Sequence, residues 1–248
     1  AGADALIIAD VGVLRMARRY APRVPVHIST QTSILNHEAA NYWADEGAER
    51  IVLARELSLE EIAEIRAKTP KELEIEAFVH GAMCISYSGR CLISQYMTGR
   101  DANHGACAQP CRWNYSLMEE KRPGQFFPVE EDGRGTYLYN SKDMCMIEHV
   151  PELIEAGITS FKIEGRNKTA YYAACVTGAY RAAIDTYKKD PENFVLPQFC
   201  RDEVNKVSHR EYYTGFYFGN QENGQHYGDS QYIREYEVVG MPVECDDS

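Results

Sequence analysis

The chain has 248 residues, 44% hydrophobic and 25% charged, a composition that excludes a disordered polymer and can build one large α/β domain. A net charge of −11 excludes an all-over nucleic-acid coat, which needs Lys and Arg in excess to neutralise phosphates, although Arg90, Arg100, Arg112 and Arg166 leave room for a local basic patch. No apolar run reaches the roughly 18 residues that a spanning helix needs, and no basic-then-apolar leader opens the chain, so a cytoplasmic location without membrane contact is expected.

The first residue is Ala1, and Gly2-Ala3-Asp4-Ala5 runs straight into Leu6-Ile7-Ile8-Ala9, as if the chain began partway through a fold; a piece of a longer protein is expected. To about residue 80, short apolar runs alternate with segments of helical period, the signature of successive βα units. Leu6–Ala9, Val24–Ile28, Ile51–Ala54 and Leu73–Val79 read as strands, and Val11–Tyr20, Asn36–Glu46 and Ser58–Lys68 as the helices between them. Ser58 with Glu61 predicts a capping box, each side chain satisfying a free backbone N–H. From Gly81 to Arg112 the rhythm gives way to a loop-rich insertion with four cysteines, and Glu119–Gly135 reads as an exposed hairpin or flap. The rhythm resumes with a strand at Thr136–Tyr139, a helix at Met144–Ala156 ended by Gly157, a strand at Ser160–Ile163 and a long helix at Lys168–Lys188. The pattern predicts an α/β fold, a (β/α) TIM-barrel-like core over 1–190 that lacks its N-terminal strands, with the insertion at 81–112 and the flap at 119–135. An open dinucleotide-binding sheet is disfavoured because no Gly-rich loop follows the first strand. Residues 191–248, polar and aromatic, read as a C-terminal extension.

Four of the eight cysteines, Cys84, Cys91, Cys107 and Cys111, fall within 28 positions among small residues such as Gly81, Ser86, Ser88, Gly89, Gly105, Ala106 and Ala108. A chain of this size needs no disulfide staples, and metal binding is the better reading. Four thiolates suit zinc or an iron–sulfur cluster. Zinc knuckles come as paired C-x₂₋₄-C spacings, and only Cys107 to Cys111 fits, so the irregular spacing favours a cluster. The plain alternative is that these are small buried hydrophobes, as cysteine often is.

The runs Glu76-Ala77-Phe78-Val79-His80-Gly81-Ala82-Met83-Cys84 and Tyr87-Ser88-Gly89-Arg90-Cys91-Leu92-Ile93-Ser94 resemble the signature of the collagenase-like peptidase family of unassigned catalytic type. The likeness continues through Cys107-Ala108-Gln109-Pro110-Cys111-Arg112, Tyr139-Asn140-Ser141-Lys142-Asp143, Phe161-Lys162-Ile163-Glu164-Gly165-Arg166 and Tyr213-Thr214-Gly215-Phe216. Within that family the sequence is similar to the branch that hydroxylates tRNA. The resemblance implies a 4Fe-4S cluster on Cys84, Cys91 and Cys107, with Cys111 or, as in other branches, Cys145 as fourth ligand. It also implies tRNA as macromolecular partner, 5-hydroxylation of the wobble uridine, and prephenate as a required small dicarboxylate. Related proteins can work in pairs, so a homo- or hetero-oligomer is expected. Family members carry strands before the equivalent of Gly2-Ala3-Asp4, and many end in a small β-domain of which Tyr232–Val243 would be the first strand.

Hydroxylating a ring carbon requires a redox centre that no ordinary side chain supplies, and an anionic cosubstrate requires cationic partners. Arg90, Lys162 and Arg166 are the substrate-binding candidates, and Glu164 and His80, near strand ends, the catalytic ones. Each has a plainer reading: Lys162 and Arg166 as solvated charges, Glu164 as their ion-pair partner, His80 as a hydrogen-bonded core histidine. Trp113 and Tyr115 suit base stacking or a half-buried strand. Hydrolysis, the family's older name, would need an activated nucleophile; neither H-E-x-x-H nor G-x-S-x-G occurs, which leaves a cysteine with His80 as base. A non-catalytic subunit with a structural metal is the third reading.

Overall fold

The computed structural model describes residues 2–84, 86–113, 116–118, 121, 123–124, 126–128, 141–219, 233 and 236. The first half is a run of parallel strands joined by helices: β1 (Leu6–Ile8), α1 (Val11–Tyr20), β2 (Val26–Ile28), α2 (His37–Asp45), β3 (Arg50–Val52), α3 (Leu59–Ala67) and β4 (Glu74–Ala82). Each helix begins where a short polar side chain takes a free N–H: Asp10 accepts from Val13, Asn36 from Ala39, and Ser58 and Glu61 form the reciprocal capping box. The strands are short, yet Ile8, Val26, Ile28, Ile51, Val52 and Ile75 lie in the core, because a parallel sheet covered by helices buries its strands.

The insertion follows β4 and holds one short helix, α4 (Ile93–Thr98), and a 3-10 turn at Pro110–Arg112. Strands β5 (Ser116–Met118) and β6 (Phe126–Pro128) pair as an antiparallel ribbon. The rest of the expected flap and the strand expected at Thr136–Tyr139 lie outside the described residues. The helix expected over Met144–Ala156 is corrected: β7 (Asp143–Cys145) pairs antiparallel with β4, and only α5 (Val150–Glu155) is α-helical. Met144, Met146 and Ile147 are apolar enough for either conformation, and pairing with the end of β4 decides it. β8 (Ser160–Glu164) then runs parallel to β4 on its other edge, followed by α6 (Ala170–Lys189), α7 (Gln198–Lys206) and β9 (Tyr212–Tyr213).

The result is a mostly parallel sheet of seven strands, with β8 on one edge of β4 and β3 and β7 on the other. The alternation of strands and helices is as expected, while closure into a barrel is not displayed by the described strands. Residues 194–217 pack on the same core as the βα units, through Leu196, Cys200, Val204, Val207 and Tyr217. Beyond them, Ile233 bridges His209, and the remainder of the expected strand Tyr232–Val243 lies outside the described residues. Among the described residues no helix is long and apolar enough to cross a membrane.

Candidate functional site

The cysteine loop lies across the ends of the parallel strands and is tied down at three of them. After β2, the Gln31 amide donates to the Asn103 carbonyl, and Gly89 passes so close that a Cβ there would stand 2.3 Å from the Gln31 oxygen. Gly89 also has φ +73°, so only glycine makes this crossing without strain. After β3, Glu56 accepts from the Ser88 backbone N at 3.0 Å and its Oγ at 3.4 Å. After β8, Arg166 donates to the Gly105 carbonyl at 2.8 Å and Asn167 to the Cys107 carbonyl at 3.2 Å. Inside the loop, Asn103 holds the Cys91 carbonyl at 2.8 Å, and the buried Ser94 hydroxyl accepts from Ala108 N at 3.0 Å. C-terminal strand ends are where α/β proteins place their sites, since the connecting loops converge there on a rigid sheet.

These ties bring cysteines together. Cys84 leaves the end of β4 half-buried, and burial pushes its thiol pKa up; the Ser86 N–H and the Arg55 guanidinium act against that, and Cys91 and Cys107 stand near enough to reinforce it. The Cys107 sulfur accepts a hydrogen bond from Gln109 N at 3.2 Å. Backbone N–H groups aimed at sulfur stabilise a thiolate, the form that binds metals. Cys111 follows on the 3-10 turn, also half-buried. Among the described residues no three His, Cys, Asp or Glu side chains stand close enough to clasp a single ion.

Cys145 belongs to another neighbourhood. It lies on β7 opposite His80, beside the Tyr180 hydroxyl, and burial pushes its thiol up to about 11. It faces a cavity of about 280 Å³ whose wall includes Glu148, Arg201 and Tyr212. His80 is 1% exposed, with the hydroxyls of Tyr180 and Tyr212 each 3.4 Å from one ring nitrogen and the Tyr172 ring 5.9 Å away. Burial lowers its pKa to about 3, so the imidazole is neutral. These are the surroundings of a packed core histidine.

The remaining candidates divide. Glu164 ends β8 opposite Gly81 and accepts from Arg166 N at 2.9 Å. Lys162 is committed to Glu76, at 2.7 Å, and Glu76 also accepts from Ser160 at 2.9 Å and Arg50 at 3.1 Å. These partners hold the Glu76 carboxyl below its usual range although burial opposes it. Arg90 is exposed and, among the described residues, reaches only the Gly89 carbonyl, at 3.4 Å. Trp113 is half-exposed, and Tyr115 lies outside the described residues. Sequence reasoning missed Arg55 and Glu56, which follow β3 much as Glu164 ends β8 and Arg166 follows it; the same strand-end logic applied to the third strand finds them.

A thiol-rich loop pinned over the ends of a parallel sheet, with acidic and basic groups around it, defines an α/β protein with a candidate thiolate metal centre. By sequence the chain belongs to peptidase family U32, whose profile matches residues 1–227. It is 42% identical to tRNA hydroxylation protein P1 of Bacillus subtilis, over 98% of this chain and 57% of that one. It is 44% identical to an uncharacterized protease of Methanocaldococcus jannaschii, over 87% and 52%, and 41% identical to a 23S rRNA 5-hydroxycytidine synthase of Escherichia coli, over 98% and 35%. The chain thus spans about half the length of the first two and less of the third. A solved U32 peptidase overlaps 33% of this chain at 21% identity with a TM-score of 0.28.

Proposed function

We propose that this chain is the iron–sulfur-bearing core of an RNA-modifying enzyme, one that places a 5-hydroxyl on the wobble uridine of tRNA with prephenate as the required metabolite. The observation that carries the reading is the placing of Cys84 at the strand ends with Cys91 and Cys107 near enough to act on it, and N–H groups aimed at the Cys84 and Cys107 sulfurs. The names of the relatives support the RNA part. The donor set fits the cofactor in chemistry: soft sulfurs, N–H donors and a nearby guanidinium favour thiolates. A tetrahedral zinc with bonds of about 2.3 Å needs sulfurs roughly 4 Å apart, whereas a four-iron cluster takes one thiolate at each iron and tolerates a wider set. Convergence of the fourth sulfur is what the proposal adds, and Cys111, on the same loop, supplies it more readily than Cys145.

When bound, the cluster supplies one-electron chemistry that side chains lack. The protein's own groups do the rest. Glu164, held by Arg166 N at the mouth, is the candidate to carry a proton there. His80, neutral and enclosed by tyrosines, is assigned to packing. Lys162 is neutralised by Glu76 and orders the sheet face, leaving Arg90 and Arg166 on the outer side as candidates for RNA phosphate. Hydrolysis finds less support: a thiol nucleophile needs a base in hydrogen-bond reach, and among the described residues no histidine bonds Cys84, Cys91 or Cys107.

Anaerobic purification followed by iron and sulfide assays and visible spectroscopy tests the reading. We expect iron and sulfide in equal amounts, lost in Cys84→Ala, Cys91→Ala, Cys107→Ala and Cys111→Ala and kept in Cys145→Ala. Zinc without colour, or loss in Cys145→Ala but not Cys111→Ala, would refute the ligand set. Mass analysis of wobble uridines in cells lacking the gene tests the substrate.

A further inference from the structure

The cations along the sheet and at the cysteine loop differ in whether an acceptor already holds them. Lys162 pairs with Glu76 at 2.7 Å, Arg50 with Glu74 and Glu76 at 2.6 and 3.1 Å, and Arg166 donates to the Gly105 carbonyl. Arg55, just past β3, is half-buried with its guanidinium carbon 3.7 Å from the centre of the Phe78 ring. Among the described residues no carboxylate lies within ion-pair distance of it and no oxygen accepts its N–H groups. The acids nearest in effect are engaged elsewhere, Glu56 with Ser88 and Glu164 with Arg166 N, and reach Arg55 only through space, as does Cys84.

With no protein acceptor to compete among the described residues, these N–H groups are available to a ligand's oxygens. The flat face is spent on the Phe78 ring, and what remains is the edge, a planar fork of N–H donors that matches two oxygens on one atom. We propose that Arg55 holds an oxyanion, a carboxylate or phosphate of the substrates, at the mouth beside Cys84. The inference rests on the reading above that this mouth is the reaction site, and it replaces Lys162 as the inner anion-binding cation. Glu56 and Glu164 oppose an anion here, and the hydrogen bonds each receives reduce that opposition. The oxyanion has two possible sources, a small free carboxylate or an RNA phosphodiester.

Calorimetric titration of malonate, inorganic phosphate and single-stranded oligouridylate into anaerobically purified wild type, Arg55→Gln and Arg55→Lys separates them. Wild type should bind at least one probe, Arg55→Gln should bind it about tenfold or more weakly, and Arg55→Lys, which keeps the charge and loses the fork, should fall between. Weakened malonate or phosphate binding with unchanged oligouridylate affinity identifies a small anion; weakened oligouridylate binding alone identifies the phosphodiester. The inference is overturned if Arg55→Gln binds every probe as wild type does, or if wild type binds none. Should Arg55→Gln fail to fold, Arg55→Lys decides, since wild-type affinity there removes the need for the fork. Iron content measured on the same samples keeps the two claims apart: colourless protein whose anion binding depends on Arg55 sinks the cluster and keeps this site.

Discussion

His80 shows how a residue at a promising sequence position is claimed by packing. Its pKa falls from 6.5 to about 3 because three tyrosines and the sheet remove water from it. The unfolded chain takes up this proton below about pH 6.5, and the folded one resists it to about pH 3. Stability present above 6.5 is therefore lost as pH falls through that window, by up to about 1.4 kcal/mol per pH unit. Urea midpoints at pH 7 and pH 5 should drop in wild type and drop less in His80→Asn; equal drops in both proteins would place the acid sensitivity on other groups. Gly81 makes the opposite point, that an unreactive residue can be fixed by geometry. At φ +107° its missing Cβ would stand 2.2 Å from the Glu164 carbonyl oxygen. Gly81→Ala should cost at least about 2 kcal/mol in chemical denaturation and loosen the pairing of β4 with β8.

Among the elements, the cysteine loop owes its shape to side chains outside it. Gln31, Glu56, Arg166 and Asn167 hold it from three strand ends, so its order depends on the sheet more than on its own composition. Glu56→Ala removes the acceptor of both Ser88 bonds and should cost about 1–3 kcal/mol of local stability. Amide exchange around Ser88 should accelerate while that of β4 stays slow; unchanged exchange at Ser88 would show that Glu56 is not its anchor. The helix expected over Met144–Ala156 failed for a related reason, because a segment with apolar residues on every side has no period of its own, and the edge of β4 claims its first residues as β7.

For the whole molecule, the question is whether the segment after residue 190 is a separate unit. Its packing says otherwise: α7 lies against α6, and Cys200, Val204 and Tyr217 join the common core. A latch of charge closes the same seam, where the fully buried Asp143 on β7 accepts from Arg210 N at 3.2 Å and stands 3.7 Å from Lys168 Nζ. Asp143→Ala would leave buried cationic groups without that carboxylate and should cost about 3–5 kcal/mol. Unfolding followed by tryptophan fluorescence, which reports Trp43 in α2 and Trp113 after the cysteine loop, and by far-UV dichroism should give one coincident transition, shifted as a unit by the substitution. Two separated transitions would show that the C-terminal part folds on its own.

Sequence alone determined the βα alternation, the capping box at Ser58 and Glu61, the concentration of cysteines in one loop and the family likeness. All of these are local: periodicity, caps and spacing are written within a few turns of chain. Which cysteines share a field, which cations are already paired, and that His80 faces tyrosines instead of the mouth were decided only by tertiary structure. Each depends on residues tens of positions apart, as Arg55 beside Cys84 and Tyr212 beside His80 show, and no local pattern encodes that meeting.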